Sequence, residues 1–373
     1  MVAIYARCLK RFKSIPTQFG IQLPPILDLI LRLVPLNEYM AIQVAIAGAT
    51  GYAGAELVRL LSLHPSAEIV AVTSSRHHGI RLDQICPWID STLTLQHFSQ
   101  SIEADVIFLC QETGFASEVA PILEPRMKVI DLSADFRLDQ ATYERVYHRE
   151  WGAAKLATTP IYGLPELCDR QSIASAQVIA NPGCYPTVSL LGLLPLLRSG
   201  QTTGTPVIDA KSGVSGAGRS RQETDYLFTE LSDGFKAYGT VGHRHQSEIE
   251  QMTGCHVRFT PHLLPVARGI EASIYVPISQ ELTSQELTLL YQETYADEPF
   301  VRIVPEPPST KQVRGANRCD IFVTIDEQEP RFAVISAVID NLVKGAAGQA
   351  IQNMNLLFDF PESTGLPRTG LWP

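Results

Sequence analysis

The sequence has little positive charge and no regular cysteine spacing, and each shortage excludes a class of protein. A net charge of −9 argues against a nucleic-acid or anionic-membrane partner. The seven cysteines are odd in number and form no C-x-x-C pair, so they indicate neither a disulfide framework nor a zinc ribbon. Such usage favours the reducing cytoplasm. The apolar run IQLPPILDLILRLVPL contains three prolines and two charged residues, which argues against a membrane span.

Residues 1–39 form an N-terminal extension of uncertain status. Their composition is basic, with Arg7, Lys10, Arg11, Lys13 and Arg32 against Asp28 and Glu38. A basic, acid-poor segment is typical of a transit peptide, which would direct import into an organelle. Met40 immediately precedes the first clear strand, and this favours the other interpretation, a dispensable extension read from an upstream start.

Strands and helices alternate through the first half of the chain. A strand over 42–47 leads into a helix, and three further strands follow within 68–75, 104–110 and 127–134, with a helix over 114–124. This order predicts an α/β fold with a doubly wound parallel sheet. From about residue 160 the strands lengthen, which predicts an α+β domain with a mixed or antiparallel sheet. A helix over 341–358 ends the pattern.

The motif GATGYAG, residues 48–54, joins the first strand to the first helix. Gly48 allows the tight turn, Gly51 lets the backbone approach a pyrophosphate, and Gly54 lets the helix pack near the strand. The free N–H groups at the helix start favour a dianion. The motif therefore predicts a dinucleotide site, and its other candidate contacts are Thr50, Tyr52 and Ala53.

The end of the second strand indicates which dinucleotide binds. An NAD site usually places an acidic residue there for the ribose 2′-hydroxyl. This chain has Ser74, Ser75 and Arg76 instead, and hydroxyls with a guanidinium suit a 2′-phosphate. NADP is therefore the expected cofactor, although a solvated polar loop is an alternative interpretation.

Cys184 lies in ANPGCYPT, between a short strand and a nearly all-apolar helix. A helix N-terminus lowers the pKa of a thiol, and the same turn offers N–H donors for an oxyanion. Cys184 is therefore the candidate nucleophile. The alternative is a small buried hydrophobic residue, which is the usual role of an unpaired cysteine.

The proton partner is expected in GHRHQSEIEQ, where His243 and His245 flank an arginine. We favour acid/base duty for this pair. A metal site would use the same spacing, with Cys255, His256 and His262 downstream, and purely structural histidines are a third possibility. A dinucleotide with an activated cysteine and a histidine is typical of an aldehyde dehydrogenase that acts through a thioester.

These residues carry a resemblance to a known family. From about Ala41 to its end, the chain resembles the N-acetyl-γ-glutamyl-phosphate reductases, relatives of the aspartate-semialdehyde dehydrogenases. The matching stretches are GATGYAGAELVRLL, DLSADFRL, YGLPEL, NPGCYPT, KSGVSGAGR, GHRHQSEIEQ, FTPHLLPVARGI and NLVKGAAGQAIQNMN.

The resemblance implies NADPH-dependent reduction of N-acetyl-L-glutamyl 5-phosphate to the semialdehyde, with release of phosphate, in arginine biosynthesis. It implies that Cys184 is the nucleophile and that the histidine motif carries the acid/base role. We favour His245 for that role, with His243 as the alternative or as a residue that positions the substrate. It also implies cofactor contacts from the loop with Ser215 and Gly216 and from Asn341, and a homodimer or homotetramer.

The small-molecule substrate carries an acyl phosphate and a carboxylate, so cations must bind it. Arg137 and Arg244 are the first choices among the arginines inside the motifs, which also include Arg219 and Arg221. Glu248 is assigned to the same substrate site.

Three other functions stay open at this point. A related reductase would act on aspartyl phosphate or a carrier-bound aminoadipyl phosphate, a cysteine hydrolase would need no dinucleotide, and a sensor would bind NADP without catalysis. The expected domains are a Rossmann-like NADP-binding domain over 40–185, completed by the C-terminal helix of about 341–373, and a catalytic, dimerisation α+β domain over 186–340.

Overall fold

The computed structural model describes residues 41–221, 223–279 and 281–372. The N-terminal extension over 1–39 and Met40 lie outside the described residues, so both interpretations of that segment stay predictions. Among the described helices, none combines the length and the apolar character that a bilayer crossing requires. The six cysteines in these ranges are free thiols.

The first domain is built on a six-stranded parallel sheet, which confirms the predicted doubly wound fold. Its strands lie in the order β2-β1-β3-β4-β6-β5, and every neighbouring pair is parallel. β3 is buried along its whole length because helices cover both faces of the sheet. The strand bounds are β1 Ile42–Ala47, β2 Ala67–Thr73, β3 Val106–Leu109, β4 Lys128–Asp131, β5 Ile161–Tyr162 and β6 Val178–Ala180.

The helices of this domain follow the strands in alternation. They are α1 Tyr52–Leu61, α2 Leu82–Ile85, α3 Phe115–Leu123, α4 Gln140–Tyr147 and α5 Arg170–Ser175. Asp135, in the DLSADFRL motif, caps α3 by accepting the N–H groups of Gly114 and Ser117. This motif is therefore fixed to the carboxyl edge of the sheet, where parallel α/β folds bind ligands.

The second domain is built on a seven-stranded mixed sheet in the order β11-β12-β13-β10-β7-β9-β8. Its strands are β7 Val207–Gly213, β8 Lys236–Ala237, β9 Arg258–Leu264, β10 Ile270–Pro277, β11 Val301–Ile303, β12 Cys319–Ile325 and β13 Phe332–Ile339. Its helices are α6 Cys184–Arg198, α7 Phe228–Leu231, α8 Arg244–Thr253, α9 Ser284–Thr294 and α10 Thr310–Val313. Leu190, Leu193 and Leu194 of α6 pack with the inner face of this sheet.

The C-terminal helix departs from its prediction at its start. A π-helical turn over Val343–Ala347 precedes the regular helix α11, Gly348–Leu357. Lys344 in this turn is fully buried, and its Nζ lies 2.6 Å from Glu166 Oε1. A wider turn at this position is typical of functional sites. The buried ion pair fixes the turn to the YGLPEL motif.

Helix α11 returns to the first domain. Ala350, Ile351 and Met354 are fully buried and pack in the same cluster as Val44 and Ile46 of β1. The final segment of the chain therefore contributes to the core of the domain that begins the chain. The domain limits given above stay a prediction.

Candidate active site

The Gly48–Gly54 turn has three glycines with three different surroundings. Gly48 has a φ of +90°, and a Cβ there would lie 2.7 Å from the carbonyl oxygen of Cys110. A Cβ on Gly54 would overlap the Gly48 carbonyl oxygen, so α1 packs directly on the turn. A Cβ on Gly51 would meet only the Gly48 oxygen, at 3.5 Å. Gly51 thus borders open space, where a ligand can approach the backbone.

The start of α1 and the end of β2 lie side by side. The N-cap residue of α1 is Gly51, which has no side chain, so the first N–H groups of α1 have no side-chain cap. Thr50 Oγ1 lies 3.2 Å from Ser74 Oγ, which joins the turn to the end of β2. Ser75 and Arg76 are exposed. The cradle therefore fits a dinucleotide, with backbone donors for the pyrophosphate and a free guanidinium at the ribose end.

A cleft of about 880 Å³ opens between this turn and the second domain. Its first-domain wall includes Tyr52, Glu56 and Trp88, and its second-domain wall includes Ser215 and Arg268. Ala53 lies beside Tyr52 in the first turn of α1. A cleft between two domains is a common position for a cofactor.

Asn341 organises the second-domain side of the cleft. Its Nδ2 donates to Ser215 Oγ at 2.9 Å, and its Oδ1 accepts the N–H of Gly269 at 2.7 Å. Gly216 is exposed, and a Cβ there would lie 3.0 Å from Ser212 Oγ. The asparagine therefore holds the loop that carries Ser215 and Gly216 in one conformation.

Cys184 is the first residue of α6, as the sequence predicts. A Cβ on Gly345, in the π-helical turn, would lie 2.9 Å from Cys184 Cβ, so that turn packs against the cysteine. Burial raises the pKa of the Cys184 thiol, and the charge of Glu248 adds to this effect. Arg137 and the N–H groups of Cys184 and Tyr185 lower that pKa but do not outweigh the desolvation. The expected lowering of the thiol pKa is wrong for this state, because sequence-distant packing removes water from the thiol.

Glu248 anchors the backbone beside the cysteine. The residue is 1% exposed, and its Oε1 accepts the N–H of Gly183 and the hydroxyl of Tyr162, both at 2.8 Å. Its Oε2 lies 3.4 Å from Arg137 Nη1. Arg137 also donates from Nε to the Asn181 carbonyl at 2.7 Å. These two charged residues hold the Asn181–Gly183 turn from both sides.

His245 lies next to the same turn. A Cβ on Gly183 would lie 2.9 Å from His245 Nε2, so the imidazole contacts the residue before the cysteine. Burial, together with His243, Arg137 and Arg244, holds the pKa of His245 well below its ordinary value. His245 is therefore a neutral imidazole near a protonated thiol, and it can act as a proton acceptor.

His243 has a different position from His245. It is the N-cap of α8, where its Nδ1 accepts the backbone N–H of His245 at 3.3 Å. Burial lowers its pKa to about 4. Its ring lies 5.5 Å from the ring of Tyr238. The cap leaves only Nε2 of His243 available for other contacts.

Arg244 is the motif arginine that projects outward from this cluster. Its guanidinium carbon lies 6.0 Å from the ring of Tyr147. The side chain is exposed, and within the described ranges it has no hydrogen-bond or ion-pair partner. An incoming carboxylate or phosphate can therefore reach it.

Two of the histidines considered as metal ligands, His256 and His262, each lie against a different carboxylate. His256 Nδ1 lies 2.5 Å from Glu250 Oε1, and His262 Nδ1 lies 3.0 Å from Asp209 Oδ1. Among residues 41–221, 223–279 and 281–372, no group of three or more metal-ligating side chains occurs.

Two functional positions escaped the sequence analysis. Tyr162 binds Glu248 directly, and only the YGLPEL motif signalled it. Arg268 joins Glu56 of α1 to Asp340, next to Asn341, with distances of 2.9 and 3.1 Å. Only its position in the motif FTPHLLPVARGI indicated a role for Arg268, and the linear sequence does not show that this motif contacts α1.

Comparison with known proteins places both halves of the chain in one family of models. The model described as semialdehyde dehydrogenase, NAD binding domain, matches residues 43–176, and the model described as semialdehyde dehydrogenase, dimerisation domain, matches residues 184–341. The chain thus carries a domain that binds a nicotinamide dinucleotide. The match to the dimerisation domain begins at Cys184.

Curated relatives match over nearly the whole described chain. The N-acetyl-gamma-glutamyl-phosphate reductase of Desulfotalea psychrophila is 46% identical over 349 residues, which cover 89% of this chain and 100% of the relative. The protein of the same name from Symbiobacterium thermophilum is 48% identical over 348 residues, with 89% and 99% covered.

Solved structures share the fold at low sequence identity. Aspartate semialdehyde dehydrogenase II from Vibrio cholerae, complexed with ASA, gives a TM-score of 0.67 at 18% identity and covers 85% of this chain and 98% of its own. The Candida albicans aspartate semialdehyde dehydrogenase with NADP gives 0.64 at 14% identity, with 85% and 98% covered.

Proposed function

Because the chain belongs to the N-acetyl-γ-glutamyl-phosphate reductase family within the semialdehyde dehydrogenases, we propose that it reduces N-acetyl-L-glutamyl 5-phosphate to the 5-semialdehyde with release of phosphate. This is the reaction of arginine biosynthesis that the resemblance implies. The observation that carries the proposal is the position of Cys184 at the start of α6. The preceding residue, Gly183, lies against His245 Nε2.

The first step belongs to Cys184 and His245. The thiol loses its proton to the neutral imidazole, and the sulfur attacks the acyl carbon of the acyl phosphate. A C–S bond forms, the C–O bond to phosphate breaks, and phosphate leaves with the electron pair. The N–H groups at the start of α6 lie where they stabilise the negative charge that develops on the acyl oxygen. Once the acyl carbon has been reduced, the C–S bond breaks, the aldehyde carbonyl forms, and the sulfur takes back the proton that His245 holds.

Bound NADPH supplies the hydride that reduces the acyl carbon. The residues that would hold it are those of the Gly48–Gly54 turn, with Ser75 and Arg76 at the ribose end. The exposed hydroxyl and guanidinium support NADP rather than NAD. The test is kcat/KM for NADPH and NADH in Arg76→Ala, where we expect the preference for NADPH to fall about tenfold. An unchanged preference would remove Arg76 from the cofactor site.

The charged residues of the site divide between two roles. The three protein contacts of Glu248 and the buried guanidinium of Arg137 support a positioning role in the cysteine turn. Arg244, with its exposed guanidinium, supports contact with a substrate anion. The original assignment of all three to substrate binding stays a prediction.

One face of the second sheet carries polar, partly exposed side chains. Asp209, Lys211, Glu271 and Ser273 alternate with fully buried residues along β7 and β10 and are partly exposed. Together with the dimerisation model, this face supports a homodimer or homotetramer in the cytoplasm. Light scattering coupled to size exclusion measures the mass, and a monomer at micromolar concentration would contradict this part of the proposal.

The decisive assay runs the reaction in reverse. We expect phosphate-dependent reduction of NADP⁺ with N-acetylglutamate semialdehyde, and at least a hundredfold lower kcat/KM with aspartate semialdehyde. Cys184→Ser abolishes the reaction, whereas Cys255→Ser, at a partly buried thiol away from the turn, retains it. Turnover that continues without dinucleotide would favour the hydrolase, and turnover that survives in Cys184→Ser would contradict the thioester route.

A further inference from the structure

Arg219 belongs to the second domain but makes its hydrogen bonds with the first. It follows the Val214–Ala217 turn, after Gly218 with a φ of +91°. Its Nη1 donates to the Thr50 carbonyl at 3.0 Å, and its Nη2 donates to the Ile85 carbonyl at 3.5 Å. The guanidinium therefore spans the mouth of the cleft between the domains.

The contacts of Arg219 are electrically neutral. Besides the two carbonyls, the guanidinium contacts Cys86 Sγ at 3.5 Å and lies 5.5 Å from the ring of Trp88. In the part of the chain that the structure describes, it has no ion-pair partner. Two other arginines of the same cleft differ, because Arg221 pairs with Glu223 at 2.7 Å and Arg268 pairs with two carboxylates. Of the three arginines that line this cleft in the described chain, Arg219 is the one without a carboxylate partner, so its charge is left for a ligand.

The position of this charge indicates the ligand. Thr50 lies between Gly48 and Gly51, so Arg219 already binds the backbone of the turn that fits a pyrophosphate. Gly51 borders open space, and the start of α1 offers N–H groups on the other side. A guanidinium prefers a phosphate to a carbonyl because both partners are then charged and the contact can be bidentate.

We propose that Arg219 is a phosphate-binding residue that the second domain contributes to the cofactor cleft. When the dinucleotide binds, the guanidinium exchanges its neutral acceptors for the pyrophosphate. The cofactor is then held by the glycine turn of one domain and by an arginine of the other. The inference rests on the dinucleotide site of the proposed function and extends it to the coupling of the two domains.

A phosphate at this point could also come from the substrate or from inorganic phosphate. The contacts favour the cofactor, because Arg219 lies against the glycine turn and Trp88, whereas Arg137 is the cation beside Cys184. The pyrophosphate is common to NADP⁺ and NAD⁺, while only NADP⁺ has the 2′-phosphate. Comparison of the two dinucleotides therefore separates the phosphate groups.

The experiment is titration calorimetry of full-length protein with NADP⁺ and with NAD⁺, without substrate. Arg219→Ala is compared with Arg219→Lys and with the matched control Arg221→Ala, a cleft arginine of the same loop that has its own carboxylate. Thermal unfolding without ligand checks the fold, which we expect to be intact because Arg219 is exposed. The dissociation constants are measured at two salt concentrations.

We expect Arg219→Ala to weaken both dinucleotides by the same factor, roughly tenfold or more, and to reduce the salt dependence of binding. Arg219→Lys recovers part of the affinity, and Arg221→Ala stays within about twofold of the wild type. Unchanged affinity in Arg219→Ala overturns the proposal. A loss for NADP⁺ alone or a loss with unaltered salt dependence overturns it as well. Failure of the wild type to bind either dinucleotide would instead contradict the proposed function.

Discussion

The substitution Glu248→Gln tests two effects of Glu248 separately. One is the anchoring of the turn before Cys184, and the other is the effect of the carboxylate charge on the pKa of the Cys184 thiol. The amide keeps an acceptor for Gly183 and Tyr162 but removes the ion pair with Arg137. This ion pair is buried, because the side chain of Arg137 is 8% exposed and that of Glu248 is 2% exposed. Loss of one partner of a buried ion pair costs about 3–5 kcal/mol. Arg137 retains two carbonyl acceptors, those of Asn181 and Leu132, so we expect about 3 kcal/mol.

This loss of stability is measurable by thermal unfolding. A change of that size lowers Tm by roughly 6–12 °C in a domain of this size. The matched control is Glu250→Gln on the same helix, whose carboxylate is 27% exposed and contacts His256. We expect the control to cost less than about 1 kcal/mol.

The same substitution has the opposite effect on the thiol. The charge of Glu248 raises the pKa of Cys184, so its removal lowers that pKa. The assay is iodoacetamide alkylation as a function of pH, followed on the Cys184 peptide by mass spectrometry. We expect the midpoint to move to lower pH while kcat falls, because the turn is no longer held. A midpoint that stays in place or rises would refute the electrostatic reasoning, and an unchanged Tm would refute the anchoring role.

Three other substitutions or conditions test separate parts of the structure. Gly54→Ala forces α1 away from the glycine turn, so calorimetry should show at least tenfold weaker dinucleotide binding, and normal binding would contradict the close packing. Because burial raises the pKa of Cys184 above 9.0 and lowers that of His245 far below 6.5, kcat/KM should increase with pH from neutral values upward. An acidic limb near pH 6.5 that His245→Asn abolishes would contradict the neutral imidazole. Lys344→Met leaves Glu166 buried without its cation, so the free energy of unfolding should fall by about 3–5 kcal/mol relative to the wild type. The double variant Lys344→Met with Glu166→Gln should recover part of this loss, because the buried charge is then removed.

The sequence predicted local features well where the relevant neighbours are close along the chain. The strand over 42–47 and the position of Cys184 at a helix start follow from apolar runs and turn residues nearby. The surroundings of Gly48 and Gly54 fit a tight turn and close packing of the helix, whereas the approach of Gly51 to a pyrophosphate stays a prediction.

Other features depend on contacts that a linear pattern does not reveal. Burial is the main cause that raises the pKa of Cys184, and Gly345, which packs against that residue, is 161 positions away along the chain. Glu248 was assigned to substrate, but its hydrogen bond to Gly183 joins positions 65 apart. The π-helical turn was missed because its residues have the composition of an ordinary helix, and only the buried Lys344 distinguishes it.

The return of α11 to the first sheet imposes an order on synthesis at the ribosome. Strands β1–β6 are translated early, yet Ala350, Ile351 and Met354, which complete their packing, are translated only after β13. The mixed-sheet domain runs without interruption from α6 to β13 and leaves the exit tunnel as a finished unit before that. The half of the protein that is made first is therefore the half that matures last. During this interval the nascent chain exposes an apolar sheet face, which makes it a substrate for chaperones.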